Sequence, residues 1–249
     1  MFELFVRGAS LPEAYHNALA ALHENHDDVP CPDYDTRQKE ASMTFVVDSP
    51  LSEPLISKFF VGEPRSLEQY RQEMLDGILD FEVDLGNWDY TYHLRMKDQI
   101  PWLISDLQRN PDSRRAVILT RSEQDMGSET PSCLQHLQFF IRGGVLHCKV
   151  LFRSNDAIKA SFMNAFALIM LQKRIADTLR VPIGSYTHRA NSFHVYERDY
   201  EMFDGCVRRI KAGGDLAYYY IDGWVELMED VKPEIASMVE ELRSRSGLA

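Results

Sequence analysis

Residues 131–196 read PSCLQHLQFFIRGGVLHCKVLFRSNDAIKASFMNAFALIMLQKRIADTLRVPIGSYTHRANSFHVY. Two apolar runs, 134–141 and 145–152, are joined by Arg142-Gly143-Gly144, whose glycines suit the positive φ of a tight hairpin. Residues 156–180 then predict the most apolar helix of the chain, and its first half is apolar nearly all round, as in a helix inside a core. Asn164 lies in that half. A buried amide must satisfy its hydrogen bonds, so Asn164 either ties core elements together or faces a ligand. Residues 192–196 predict a short strand with His194 and Tyr196 on one face. Cys133 is a candidate nucleophile and Arg153 a candidate anion binder.

Working upstream, residues 2–7 suit a short strand. A helix begins near Pro12, with Ser10 as N-cap and Ala14, Ala18, Leu19 and Leu22 on one face. Residues 27–40 are polar with two prolines and predict a loop carrying Arg37 and Lys39 on a solvated surface. Residues 41–48 predict a strand, and SPLSEPLISK a turn and a second extended piece. Residues 66–79 predict a helix capped by Ser66, with Leu67, Tyr70, Met74, Leu75 and Ile78 apolar and Glu73 among them. Residues 81–95 are aromatic and irregular. Residues 98–109 predict a helix with Asp98 as cap and Pro101 in its first turn. AVILTR (116–121) reads as a buried strand, with Arg114 and Arg115 at its entrance as a candidate anion site. Downstream, residues 216–243 predict a helix broken near Pro233. Strands and helices mix without strict βαβ alternation, which indicates the α+β class. No GxGxxG or GxxxxGK[ST] loop is present.

The 249 residues can bury a full core. With 27 basic and 38 acidic residues the net charge is −11, which argues against nucleic acid as a partner. No apolar run approaches the roughly 20 residues of a membrane span, and no signal-peptide pattern opens the chain, so a cytoplasmic protein is expected. The four cysteines form no CxxC pair, so no metal site is expected. Cys31, Cys148 and Cys206 read as small apolar residues.

Several segments, in order and at matching spacing, resemble the thymidylate synthase / deoxycytidylate hydroxymethylase superfamily: DQIPWLISDLQRNPDSRR, PSC, GGVLHCKVLFRSND, the eleven-residue interval from Arg153 to Asn164, and HVY. The resemblance runs from about Asp98 to Tyr196, with weaker echoes upstream. It implies one thymidylate synthase-like domain over 1–249, a mixed sheet flanked by helices, a shortened small domain near 80–97, and a homodimer joined through its sheets. The implied substrates are a pyrimidine nucleoside monophosphate and methylenetetrahydrofolate, the one-carbon donor. Cys133 would attack C6 of the pyrimidine, and Arg153 would help to depress its pKa. Arg153 and Ser154 would bind the phosphate, Arg114 and Arg115 would reach the partner's site, and Arg37 resembles a mobile-loop arginine. His194 and Tyr196 would hold the sugar hydroxyl. Asp156 would sit near the pterin, and Lys58 on the folate side. Glu73 resembles the glutamate that orders water on the ring, and Tyr90 an active-site tyrosine.

Asn164 can donate to O4 and accept from N3–H of uracil, where the cytosine-specific members have Asp. That favours deoxyuridylate, with cytidine nucleotides as the alternative. Leu134 after the cysteine, Lys159-Ala160, the short small domain and the ending RSRSGLA depart from bacterial-type thymidylate synthases and lean toward 5-hydroxymethylation. The alternatives are reductive methylation to thymidylate and an inactive nucleotide-binding relative. A cysteine hydrolase using His136 or His147 lacks an evident oxyanion loop.

Overall fold

The computed structural model describes residues 1–213, 218–219 and 224–247. The chain opens with β1 (Glu3–Gly8) and α1 (Leu11–Glu24). Ser10 Oγ accepts the Glu13 N–H, and Leu11, Ala14, Tyr15, Ala18, Leu19 and Leu22 form the buried stripe of α1. Strand and helix meet tightly at Gly8, where a Cβ would lie 2.3 Å from the backbone nitrogen of Ala14. Backbone cannot yield there as a side chain would. Gly8→Ala is therefore expected to destabilise the protein by about 1–3 kcal/mol, measured as a lower urea midpoint at unchanged m-value.

Residues 27–40 do not form the expected loop. They build a hairpin of β2 (Asp27–Cys31) and β3 (Thr36–Val47) across a 3-10 turn, Pro32–Tyr34. β2 pairs with β3 alone, so Pro30 removes no ladder donor that a second neighbour needs. Lys39 is largely covered there, beside Asp204 at 3.5 Å and over the Tyr200 ring. β4 (Ile56–Ser57) follows, and then α2 (Pro64–Asp76). Glu63, not Ser66, occupies the N-cap of α2, and Ser66 Oγ accepts the Glu63 N–H from the N3 position.

The aromatic stretch near 81–95 holds two short helices, α3 (Phe81–Asp84) and α4 (Tyr92–Met96), with Thr91 capping the latter. α5 (Gln99–Arg109) makes no use of the Asp98 side chain as a cap, because Lys97 and Asp98 already carry helical dihedrals on leaving α4. β5 (Val117–Leu119) is a short edge strand with Leu119 exposed, not a fully buried one.

The Gly143-Gly144 hairpin joins β6 (Leu134–Arg142) to β7 (Val145–Asp156), both glycines having positive φ. α6 (Ser161–Leu179) starts later than periodicity suggests, because Asp156 Oδ1 accepts the N–H groups of Ile158 and Lys159 and closes a turn first. The short strand expected at 192–196 is the end of β8 (Ile183–Tyr196). α7 (Tyr200–Ala212), β9 (Tyr218–Tyr219) and α8 (Trp224–Arg245) complete the order. α8 continues through Pro233, with Met228 and Ile235 buried on either side of it. The start expected at Leu216 lies outside the described residues.

The main sheet runs β1-β3-β8-β7-β6-β5, with β2 also on β3, and β4 pairs with β9 in a second small sheet. Parallel pairs (β1/β3, β7/β8) and antiparallel pairs coexist, so this is the mixed α+β sheet expected. α1 and α6 cover one face. On the other, the strand register lines up Phe5, Thr44, Arg189, Leu151, His136 and Leu119 across six strands. Phe5 is 64% and Leu119 57% exposed, so no element among the described residues covers that row's ends.

Candidate active site

The site forms where β7 and β8 end side by side. They are parallel, and their register sets Asp156 opposite His194 and Ser154 opposite Ser192. The loop before β6 and the first turn of α6 close over the same edge. The result is a cavity of about 320 Å³ lined by Cys133, Ser154, Asp156, Asn164, His194 and Tyr196, with Tyr70 and Tyr92 as a further wall.

The Cys133 loop is held from below. The Arg153 N–H donates to the Cys133 carbonyl at 2.8 Å, and its guanidinium donates to the carbonyls of Ser132 (3.1 Å) and Pro131 (2.8 Å). Burial pushes the Cys133 thiol up, and Arg153 opposes this only in part. The depressed thiol expected from Arg153 is therefore corrected: its guanidinium is engaged with the loop carbonyls, and desolvation prevails.

Asn164 is buried, and its Oδ1 accepts the Tyr70 hydroxyl at 2.5 Å. His194 is buried, with Nδ1 at 3.5 Å from Ser154 Oγ and Nε2 without a partner among the described residues. Burial lowers its pKa, against the pull of Asp156. A neutral imidazole results. Tyr196 packs edge-on to His194, ring centroids 4.7 Å apart.

Glu73 and Tyr90 lie one cavity away. A second space of about 240 Å³ is lined by Glu73, Trp88 and Tyr90, and it shares Tyr70 and Tyr92 with the first. Burial raises the Glu73 pKa, and Gln69 donates to its carboxylate at 2.8 Å. The tyrosines that face Cys133 are Tyr70, one helical turn before Glu73, and Tyr92, whose hydroxyl accepts the Leu134 N–H. Neither was singled out from sequence as a site residue. The available signal was Tyr70's position on the same helical face as Glu73.

A family model described as thymidylate synthase matches residues 67–232. The chain belongs to the thymidylate synthase family. It is thus an enzyme of the one-carbon transferase class. Proteins named "Putative thymidylate synthase" are similar: one from Methanocaldococcus jannaschii is 31% identical over 80% of this chain and 93% of its own length. One from Methanosarcina barkeri is 29% identical over 82% and 95%. The solved thermostable thymidylate synthase A from Bacillus subtilis superposes with a TM-score of 0.65 at 17% identity, covering 84% of this chain and 86% of that one, which shows a shared fold.

In this thymidylate synthase family member, five of the predicted residues line neither cavity: Arg153, whose guanidinium serves the Cys133 loop, and Arg37, Lys58, Arg114 and Arg115. Arg37 stands on β3 and not in a loop, ion-paired to Asp28 at 2.6 Å. Lys58 is exposed just after β4. Arg114 and Arg115 are exposed ahead of β5, without ion-pair partners among the described residues. His136 belongs to the uncovered sheet row, and His147 bonds Ser185 at 2.9 Å, so neither serves Cys133 as a base. Among the described residues no helix is long and apolar enough to cross a membrane, and no cluster of His, Cys, Asp or Glu is built to hold a metal ion.

Proposed function

We propose that the enzyme transfers a one-carbon unit from methylenetetrahydrofolate to C5 of deoxyuridylate through a covalent bond between Cys133 and C6. The observation that carries this reading is the single cavity holding the Cys133 thiol, the Asn164 amide and the unpartnered His194 nitrogen. Attack by the thiolate forms the S–C6 bond and moves the ring's C5=C6 electron pair toward C5 and O4. Asn164 Nδ2–H donates to O4 and stabilises that charge. C5 becomes nucleophilic and bonds the one-carbon unit; loss of the C5 proton expels the donor nitrogen from that carbon, and addition of hydride or water to the resulting exocyclic methylene re-forms C5=C6 and expels the Cys133 thiolate. Ser154 and the remaining edge of the Arg153 guanidinium receive the phosphate. His194 and Tyr196 hold the sugar hydroxyl.

The second cavity suits the folate. Trp88, Tyr90 and the shared Tyr70 and Tyr92 offer flat apolar faces to a pterin, and Glu73, with its raised pKa, can donate or accept at the pterin edge. Asp156, on the wall of the first cavity, would approach the pterin, and Lys58 would meet the folate's acidic tail. When bound, the folate supplies the one-carbon unit and, in the methylating branch, a hydride.

The uncovered row from Phe5 to Leu119 supports a homodimer joined sheet to sheet. Arg114 and Arg115, exposed on the turn before β5 and without ion-pair partners among the described residues, would then reach the partner's phosphate site. Reductive methylation has the better support for the product, because the methanogen relatives named for that activity match over nearly their whole length. Hydroxymethylation is the second reading, favoured by the sequence departures. Leu134, one of these, is fully buried in the core and cannot hold water in the cavity. The Leu248-Ala249 ending lies outside the described residues.

Incubation with methylenetetrahydrofolate and deoxyuridylate, followed by mass spectrometry and absorbance, tests this. Thymidylate with equimolar dihydrofolate is expected. A hydroxymethylated nucleotide without dihydrofolate selects the second reading, and no product from deoxyuridylate or a cytidine nucleotide removes both.

A further inference from the structure

The buried Asn164 amide has one side-chain partner among the described residues, the Tyr70 hydroxyl, reached from a different helix 94 positions away in sequence. The Tyr70 hydroxyl lies 2.5 Å from the amide oxygen Oδ1. This sets the amide's orientation: Oδ1 toward Tyr70 and Nδ2 toward the cavity. The phenol has to be the donor, since a carbonyl oxygen carries no proton. Burial pushes the Tyr70 pKa far up, so the donor stays protonated.

The consequence concerns the base. Nδ2 presents N–H to whatever sits at C4 of the pyrimidine. Uracil offers a carbonyl there, and its N3–H meets the second lone pair of Oδ1. Cytosine offers an amino group, which sets two donors against each other in a dry pocket and leaves both unsatisfied. An amide without Tyr70 could turn over and serve cytosine equally well. We infer that Tyr70 is a positioning residue for base selection, which holds Asn164 so that the site takes pyrimidine nucleotides with a carbonyl at C4. This rests on the nucleotide reading above and adds the residue that enforces the choice.

The test is calorimetric titration of wild type and Tyr70→Phe with deoxyuridylate and with deoxycytidylate, the fold of the variant being verified by circular dichroism. Wild type is expected to favour deoxyuridylate by roughly tenfold or more, and Tyr70→Phe to narrow that ratio to within about threefold, largely through tighter deoxycytidylate binding. A purely structural Tyr70 would weaken both nucleotides by one factor, and an unchanged ratio overturns the inference while leaving the nucleotide reading intact. A wild type that prefers deoxycytidylate overturns it whatever the variant does. Binding of neither nucleotide to wild type removes the nucleotide reading and this inference with it.

Discussion

Cys133→Ala is expected to lower kcat by about four orders of magnitude or more while leaving the Kd for deoxyuridylate within about threefold. The two halves of this expectation have separate physical grounds. Without a thiolate no S–C6 bond forms, and C5 of a neutral pyrimidine is too weak a nucleophile to take a one-carbon unit. Binding survives because no hydrogen bond of the Cys133 side chain holds its loop among the described residues. That loop is held through backbone, by Arg153 on the carbonyls of Pro131, Ser132 and Cys133. Asn164, His194, Tyr196 and Ser154, assigned to base, sugar and phosphate, are elsewhere on the cavity wall. Stopped-flow turnover and calorimetric titration measure the two quantities. Activity retained within tenfold would remove Cys133 as nucleophile, and binding lost together with activity would make its role structural.

The parts of the fold legible in sequence are those whose burial is one-sided or complete. β6, β7 and α6 announce themselves through apolar runs and the Gly143-Gly144 turn. β8 does not, because its buried positions before Phe193 are Gly184, Tyr186, His188 and Ala190. A strand whose core face carries glycine, alanine and histidine lacks the apolar alternation that marks a strand. The β2–β3 hairpin was hidden by Pro30, Pro32 and a run of charges, all tolerated because β2 has a neighbour on one side only. α7 gave no cue strong enough to be marked. Pro233 gave a false one, since packing of Met228 and Ile235 overrides the local cost of a proline.

At the site, order along the chain located the cavity, and side-chain direction decided its membership. Cys133, Ser154, Asp156, Asn164, His194 and Tyr196 meet because two parallel strands end in register. Glu73 and Tyr90 line the adjoining cavity, which shares Tyr70 and Tyr92 with the first. Each has a tyrosine neighbour, Tyr70 three residues earlier and Tyr92 two residues later, that points at Cys133 instead. Sequence spacing puts such neighbours on roughly one face, and only the helix's rotation against α6 separates them. The direction of the Cys133 pKa was likewise illegible, since it depends on how deeply the thiol is covered and on where the Arg153 guanidinium is engaged.

Lowering the pH from 7 to 5 is expected to destabilise the protein by about 4 kcal/mol through two buried histidines. His188 is stacked between Phe45 and Phe152, centroids 4.5 and 4.7 Å away. Its Nε2 donates to Asn155 Oδ1 at 2.9 Å, and its Nδ1 accepts the Tyr186 hydroxyl at 3.0 Å, so the ring is held neutral. Burial pushes its pKa from 6.5 to about 3. His16, buried against Phe59 and bonded to Ser57 Oγ at 2.7 Å, is pushed by burial to about 4. The unfolded chain takes up both protons as pH falls below 6.5, and the native state refuses them until pH 4 and pH 3. Stability is therefore complete above pH 6.5 and declines below it by up to about 1.4 kcal/mol per pH unit for each histidine. At pH 5 that is about 2 kcal/mol apiece, a large share of a typical total of about 5–15 kcal/mol. Urea titrations at the two pH values read the loss directly. In His188→Gln the carboxamide can donate to Asn155 and accept from Tyr186 without titrating, so roughly half of the pH dependence should vanish. A variant as acid-sensitive as wild type would show that protonation elsewhere drives the loss.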